Sequence, residues 1–331
     1  ESGFAAGSLA TRIDAVLHAE RVGPDRGKRT WRERFDALPP GSFSVYSGTA
    51  RMPAPGTKTD SGADAAWAAL VHADPGLPDI ESLVQDLSAK VETGYLFGGI
   101  TAATMLNAAC LHPERLGEPV SLTVNYAGPV ADGAFRVAAR PVRTNRATQH
   151  WWIELSQDGV VATTATAVFA IRRETWASTE ASAPPAPAPN EAERWPIERA
   201  RVAWVRNYEM RFVRGAFPDP RRMPMLDDST SLLWVRDDPP RPLDPLSLVA
   251  LSDVFFPRTY LRAAQIAPAG TITITTTLHA DAAMLARQGT QPVLARAQAQ
   301  AFGGGFFDQA SAIWGEGGAM LASSHQTVYF K

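Results

Sequence analysis

The feature that most limits the fold of this chain is an order of elements spelled out twice. The segment YLFGGITAATMLNAACL, 95–111, sets a glycine pair at the head of an apolar helix. Four segments follow: PVSLTVNYAGPV, GAFRVAARPVRTN, TQHWWIELSQDG and VVATTATAVFAIRR. Rich in β-branched and aromatic residues and bounded by Gly, Asp, Asn or Pro, they read as consecutive antiparallel strands, with Asp158-Gly159 as a hairpin turn. An apolar helix around LSLVALSDVFFPRTYL then leads into GTITITTTLHAD, PVLARAQAQAF, FFDQASAIWGEGG and AMLASSHQTVYF. VVATTATAVFA at 160–170 aligns without gaps on MLASSHQTVYF at 320–330, and SLTVNYAGP at 121–129 lies over TITTTLHAD at 273–281. A long helix followed by antiparallel strands, used twice, predicts an α+β chain with an internal duplication.

The boundary between the two sets is compositional. WASTEASAPPAPAPNEAERWP, 176–196, is rich in Pro, Ala, Ser and Glu, poor in core-forming residues, and reads as an exposed, mobile linker. The expected division is therefore 1–90, 91–175, a linker at 176–199, and 200–331. In the first of these, LATRIDAVLHAERV fits an amphipathic helix. Residues 35–90 hold Pro/Gly/Ser-rich turns and the helical patterns GADAAWAALVHAD and DIESLVQDLSAKV. This block reads as an insertion beside the first repeat, either covering a strand edge or narrowing a cleft, with the turn-rich PPGSFSVYSGTARMPAPG favouring the cover.

Charge and apolar content exclude several classes of function. A formal net charge of −2 gives no general attraction to nucleic acid or anionic lipid. No run approaches the roughly 18 apolar residues of a membrane-spanning helix, and the opening ESGFAAGSLATRIDAV lacks the charged-then-apolar order of a secretion signal. Cys110 is the sole cysteine, which rules out an internal disulfide and makes a cytoplasmic chain the simplest expectation. It reads as a small, inert core residue. His150 and His325 have no Cys, Asp or Glu at metal-ligand spacing, so no metal is expected. GEGG and FGGGF lack the Lys-Ser/Thr of a phosphate loop and read as hairpin turns, and no G-x-S-x-G elbow occurs.

One residue conflicts with its surroundings. Read as a helix, LVALSDVFFP places Asp253 on a stripe with Leu246, Val249, Ala250, Phe256 and Tyr260, an ionisable group amid apolar neighbours. Burying an unpaired charge costs several kcal/mol, roughly. Either a salt bridge to Arg258 or Arg262 accounts for Asp253, or a function does.

In order and spacing these segments resemble the double-hotdog acyl-CoA thioesterases, the type II branch. The marks are FGGITAATML, SLTVNYAGPV, ELSQDGVVATTATAVF, LSDVFF and LASSHQTVYF, covering roughly 91–331. The resemblance implies a double hotdog: two antiparallel sheets, each wrapping a long central helix. It implies hydrolysis of acyl-CoA to free acid and CoA, without metal or redox cofactor. It also implies a water held by an Asp, a Thr and a Gln, which match Asp253, Thr271 and Gln326. Thr273 and Thr275 compete with Thr271, because the family's acidic residue and His after the Thr are here Thr273 and Ile274. The chemistry suits these residues: a carboxylate takes the water's proton while hydroxyl and amide orient it. Gly98 and Gly99 at the helix start would admit close approach to oxyanion-binding amides, or simply tight helix packing. His279, at its strand end, reads as structural. An acyl-CoA or acyl-carrier binding protein without turnover is the alternative from another class, and a hotdog hydratase or dehydratase the alternative enzyme. Further association between copies is common in the resembling family.

Overall fold

The computed structural model describes residues 44–49, 97–131, 134–196, 203–219, 225–263 and 266–331. Strands β2 (Glu118–Tyr126), β3 (Ala134–Thr144), β4 (Thr148–Gln157) and β5 (Val160–Ala170) follow helix α1 (Gly98–Cys110). Strands β8 (Ala269–Leu278), β9 (Val293–Gln298), β11 (Phe306–Trp314) and β12 (Met320–Phe330) follow helices α2 (Pro245–Leu251) and α3 (Thr259–Arg262). Three strands precede the helices, β1 (Ser44–Thr49), β6 (Tyr208–Arg214) and β7 (Ser231–Asp237), and a two-residue β10 (Phe302–Gly303) pairs with β11. Helix α4 (Ala282–Gln288) connects β8 to β9. The alternating patterns announced the strands after each helix; β6, β7 and α4 are additions to that reading.

All described pairings are antiparallel, and they join into one sheet of order β1-β3-β4-β5-β2-β8-β12-β11-β9-β7-β6. The same neighbours recur on both sides of its centre, where β2 pairs with β8 from Ser121↔Thr277 to Asn125↔Thr273. At the middle of that pairing the hydroxyls of Thr123 and Thr275 meet at 3.0 Å. The two expected sheets thus join through β2 and β8 into one continuous sheet. Turns close the hairpins as read: Asp158 and Gly159 have φ of 51° and 78°, the left-handed pair of a type I′ turn, and Gly304-Gly305 joins β10 to β11.

Helix α1 is buried from Gly99 to Ala109, as an apolar-all-round sequence requires. Its alanines let α2 and the inner faces of β2, β3 and β4 approach, and its threonines satisfy their hydroxyls within the helix, Thr104 donating to the Ile100 carbonyl at 2.9 Å. Met105, Leu106 and Leu248 are fully inaccessible, each contributing roughly 1.5–3 kcal/mol of burial.

The second helix corrects the sequence reading. LSLVALSDVFFPRTYL is not one long helix: α2 has seven residues, started by Asp244, whose carboxylate accepts the Ser247 N–H at 2.7 Å. It ends at the cap Ser252, and the chain runs through Asp253–Pro257 without helix before the short α3. Pro257 cannot extend a helix. The Ser252 carbonyl is met instead by the Gln326 amide at 3.3 Å and the Ser324 hydroxyl at 3.4 Å. Asp253 therefore lies just past a helix end, not at a helix centre.

Segment SVYSGT of the N-terminal block forms β1, which pairs along the outer edge of β3. LATRIDAVLHAERV, GADAAWAALVHAD and DIESLVQDLSAKV lie outside the described residues. The Pro/Ala-rich segment is largely exposed, yet its backbone is tethered to the second half of the sheet. The Trp314 indole donates to the Ala181 carbonyl and the Trp234 indole to the Pro187 carbonyl, both at 2.9 Å. At its end Trp195 N–H donates to the Met210 carbonyl at 2.8 Å. Among the described residues no helix is long and apolar enough to cross a membrane.

Candidate active site

The α2 C-terminus abuts the α1 N-terminus, and two bare glycines make that contact feasible. A Cβ on Gly99 would stand 2.6 Å from the Ala250 carbonyl oxygen, and one on Gly98 would stand 2.7 Å from Asp253 Oδ2. Both lie inside contact distance, so a side chain at 99 would push on the helix backbone and one at 98 would displace the Asp253 carboxylate. Phe97, at the N-cap position, gives α1 no side-chain cap. The Asp253 carboxylate supplies one from across the helix pair by accepting the Gly99 N–H.

Asp253 is 7% exposed. Burial pushes its pKa from 3.8 up to about 7, while hydrogen bonds from the Gln326 side chain and the Gly99 N–H pull it back down. Neither suggested salt bridge forms. The fully buried Arg258 donates to the carbonyls of Phe256 at 3.0 Å and Ser229 at 3.2 Å and to the Ser231 hydroxyl at 2.7 Å. It also lies 4.4 Å from the Phe256 ring centroid, and burial lowers its pKa to about 9. Arg262 donates to the Leu226 carbonyl.

Gln326 lies on the inner face of β12, between buried Ser324 and Val328, and its amide nitrogen is anchored on the Ser252 carbonyl. Its Oε1 accepts the Thr271 hydroxyl at 3.2 Å. The choice among the threonines of β8 turns on one irregularity. Thr327 pairs with Thr273 but Val328 with Thr271, so Ile272 is bulged out of register. Strict alternation would send Thr271 outward with Thr273 and Thr275. The bulge returns it to the face of Ile274 and Thr276, while Thr275 remains outside on Thr123.

Asp253, Thr271, Gln326 and Gly98 thus line one cavity of about 1390 Å³. On one flank its wall is aromatic, with Phe217 packed edge-on against Phe256 at 5.1 Å and Tyr260 at 5.9 Å. Trp195, the end of the Pro/Ala-rich segment, closes in at 6.2 Å from Phe217. Phe255 and Phe256 are lining residues; Trp152 is not, its indole bonding Glu154 at 2.7 Å. Among the described residues no histidine lines the cavity: His279 bonds Ser323 at 3.0 Å and His325 faces Asp308 at 3.4 Å. Among the described residues no His/Cys/Asp/Glu group could hold a metal ion.

Three lining or adjoining polar residues escaped the sequence reading. Tyr126 ends β2 with its hydroxyl on the Gly98 carbonyl at 2.6 Å; Ser252 offers its carbonyl to Gln326; Gln309, 2% exposed, pairs with Gln326 across β11 and β12. A polar residue at an inward position of an apolar strand face, such as Gln309 between Phe307 and Ser311, was the available signal.

Residues 87–170 match the family model described as the acyl-CoA thioesterase N-terminal domain, and residues 180–330 match the acyl-CoA thioesterase C-terminal domain. No functionally curated protein matches the chain. A hot dog fold protein of unknown function from Alicyclobacillus acidocaldarius is 47% identical, covering 72% of this chain and 88% of its own with a TM-score of 0.68. The tesB protein of Mycobacterium avium subs paratuberculosis is 16% identical, with 87% and 92% coverage and a TM-score of 0.60. The acyl-CoA thioesterase II TesB2 of Mycobacterium marinum is 18% identical, with 71% and 89% coverage and a TM-score of 0.57. At those last two identities the likeness bears on fold alone.

Proposed function

The chain belongs to the acyl-CoA thioesterase family, and from that premise we propose that it hydrolyses acyl-CoA to free acid and CoA with water activated by Asp253. The observation that carries this reading is the Asp253 carboxyl, buried on the cavity wall with a pKa near 7 and bonded by Gln326. A base poised at the working pH accepts a proton from water most effectively. Thr271 and Gln326 orient that water: with its proton given to Gln326 Oε1, the Thr271 hydroxyl keeps lone pairs that can accept from it. The aromatic flank takes the acyl chain. With Asp253 on the Gly99 N–H, the two glycines serve first to admit the carboxylate.

The finer architecture belongs to the same reading. Residues 91–175 and 200–331 are taken as two hotdog domains, linked by 176–199 and fused through β2 and β8 into a double hotdog. A hotdog hydratase would want an Asp–His pair at the cleft, and the family match runs to the thioesterases instead. Hydrolysis rates over acyl-CoA substrates of increasing chain length test the function. Absence of turnover on every member of the panel, with binding retained, would establish the non-catalytic alternative.

A further inference from the structure

We propose that Tyr126 is a catalytic residue of this site, its hydroxyl donating to the thioester carbonyl oxygen as that oxygen becomes an oxyanion. The proposal rests on the reading of Asp253 as the base. Acyl transfer needs a hydrogen-bond donor where negative charge develops, often a helix N-terminal amide. Here the Gly99 amide at the head of α1 is directed at Asp253, and a side-chain donor beside it would share the developing charge.

Tyr126 is placed for it. It is the last residue of β2 and lines the cavity beside Gly98. The position a Cβ would take on Gly98 is 2.7 Å from Asp253 Oδ2 and 3.3 Å from the Tyr126 hydroxyl. Carboxylate and phenol therefore flank the same bare Cα, within about 6 Å of each other by the sum of those distances. A carbonyl group set against that Cα is therefore within reach of both. The phenol now donates to the Gly98 carbonyl at 2.6 Å. That carbonyl sits in the first turn of α1, where the helical pattern supplies the Ala102 N–H, so turning the phenol away strands no acceptor. Burial and the neighbouring Asp253 charge both raise the phenol pKa, which keeps the donor protonated.

The step balances with water as the only co-reactant. Water oxygen bonds to the thioester carbon, its proton passes to Asp253, and the carbonyl π pair moves onto oxygen, held by the Tyr126 O–H. Collapse restores the carbonyl and breaks the C–S bond. The departing thiolate takes the proton from Asp253, leaving acid, thiol and the starting enzyme.

The test compares Tyr126→Phe and Asp253→Asn in the full chain, on an acyl-CoA the wild type hydrolyses. For Tyr126→Phe, kcat should fall about 10²-fold, the scale of one lost oxyanion donor, with KM within about threefold. The pH midpoint of activity should stay at its wild-type value. If the hydroxyl only ties down α1, kcat changes little while the midpoint shifts, because the Gly99–Asp253 bond moves; that result overturns the proposal. Should the Phe variant fail to fold, 3-fluorotyrosine at position 126 keeps the shape and alters the acidity of the donor. A changed kcat supports the role and an unchanged one refutes it. If Asp253→Asn retains full turnover, the base assignment falls instead, a failure distinct from that of Tyr126.

Discussion

The two ends of the α1–α2 pair both bury carboxylates and hold them in different ways. At one end α1 begins with two glycines and borrows its cap, Asp253, from the other half of the chain, beside a large cavity. At the other end α2 caps itself through Asp244. There Arg241 pairs with Asp237 at 2.8 Å and with Asp244 at 3.5 Å, and Ser247 bonds Asp237. Both ends bury carboxylates, and burial raises the pKa of Asp244 as it does that of Asp253. Asp237 and Asp244, however, have a guanidinium in reach, whereas Asp253 has only neutral donors. The lesson is that a paired buried carboxylate holds structure together, while one balanced by amides alone stays near neutrality and can exchange protons. Cys110, at the closed end, follows suit: burial pushes its thiol up to about 12, out of reach of nucleophilic chemistry.

Substitutions that treat the two ends alike should separate them. The largest effect is expected for Asp253→Asn, which should lose at least about 10²-fold in kcat while remaining folded, because it removes a costly buried charge at nearly constant shape. Steady-state kinetics beside a melting curve measure both; full activity would place the base elsewhere. Gln326→Ala comes next, with kcat about tenfold lower, KM less affected, and the activity midpoint moved to higher pH, since a donor that lowers the Asp253 pKa is gone. Gly99→Ala presses a methyl onto the Ala250 carbonyl and should cost about 1–3 kcal/mol of stability, with a matching fall in Tm.

Stability should also carry the signature of the open end. Asp253 binds its proton more tightly folded than unfolded, so its contribution is fully present below about pH 4 and is lost as pH rises through about 7. Activity, which needs the carboxylate, should rise through that same window. Melting of Asp253→Asn between pH 4 and 8 should lack this component of the slope; an unchanged profile would deny the raised pKa. At the closed end, Asp244→Ala should cost about 0.5–2 kcal/mol through loss of the cap and leave kcat within about twofold. Smallest of all, Trp314→Phe should cost about 0.5–1.5 kcal/mol by freeing the Ala181 carbonyl, and should quicken proteolytic cutting within 176–196.

Much of this was legible in the residues. Alternation and turn chemistry located the strands after each helix, because a half-buried strand writes its period into the sequence, and Asp158-Gly159 wrote its own turn. The apolar, glycine-headed α1 was equally plain. The second helix was overextended, since a run such as LSLVALSDVFFP is apolar whether helical or merely buried, and periodicity cannot separate the two. Among the site residues, Asp253 announced itself as a charge in an apolar run, whereas Gln326 came only with the family resemblance; its inward position on β12 is a finding of the structure. Thr271 stayed one of several threonines, and the linker gave no hint that its Trp195 reaches the cavity.

What the sequence determined by itself was local: which segments are strands, where turns fall, and which ionisable group sits among apolar neighbours. Each of these depends on a few adjacent residues and the periods of 2 and 3.6. What only the tertiary structure decided was register and approach. The bulge at Ile272 selects Thr271 by turning it to the face of Ile274, and it exists only in pairing with β12, some 55 residues away. Gly98 and Gly99 acquire their meaning from the Asp253 and Ala250 atoms that a Cβ would strike. Those contacts join residues more than 150 positions apart, and no periodicity encodes distances across a sheet and a helix pair.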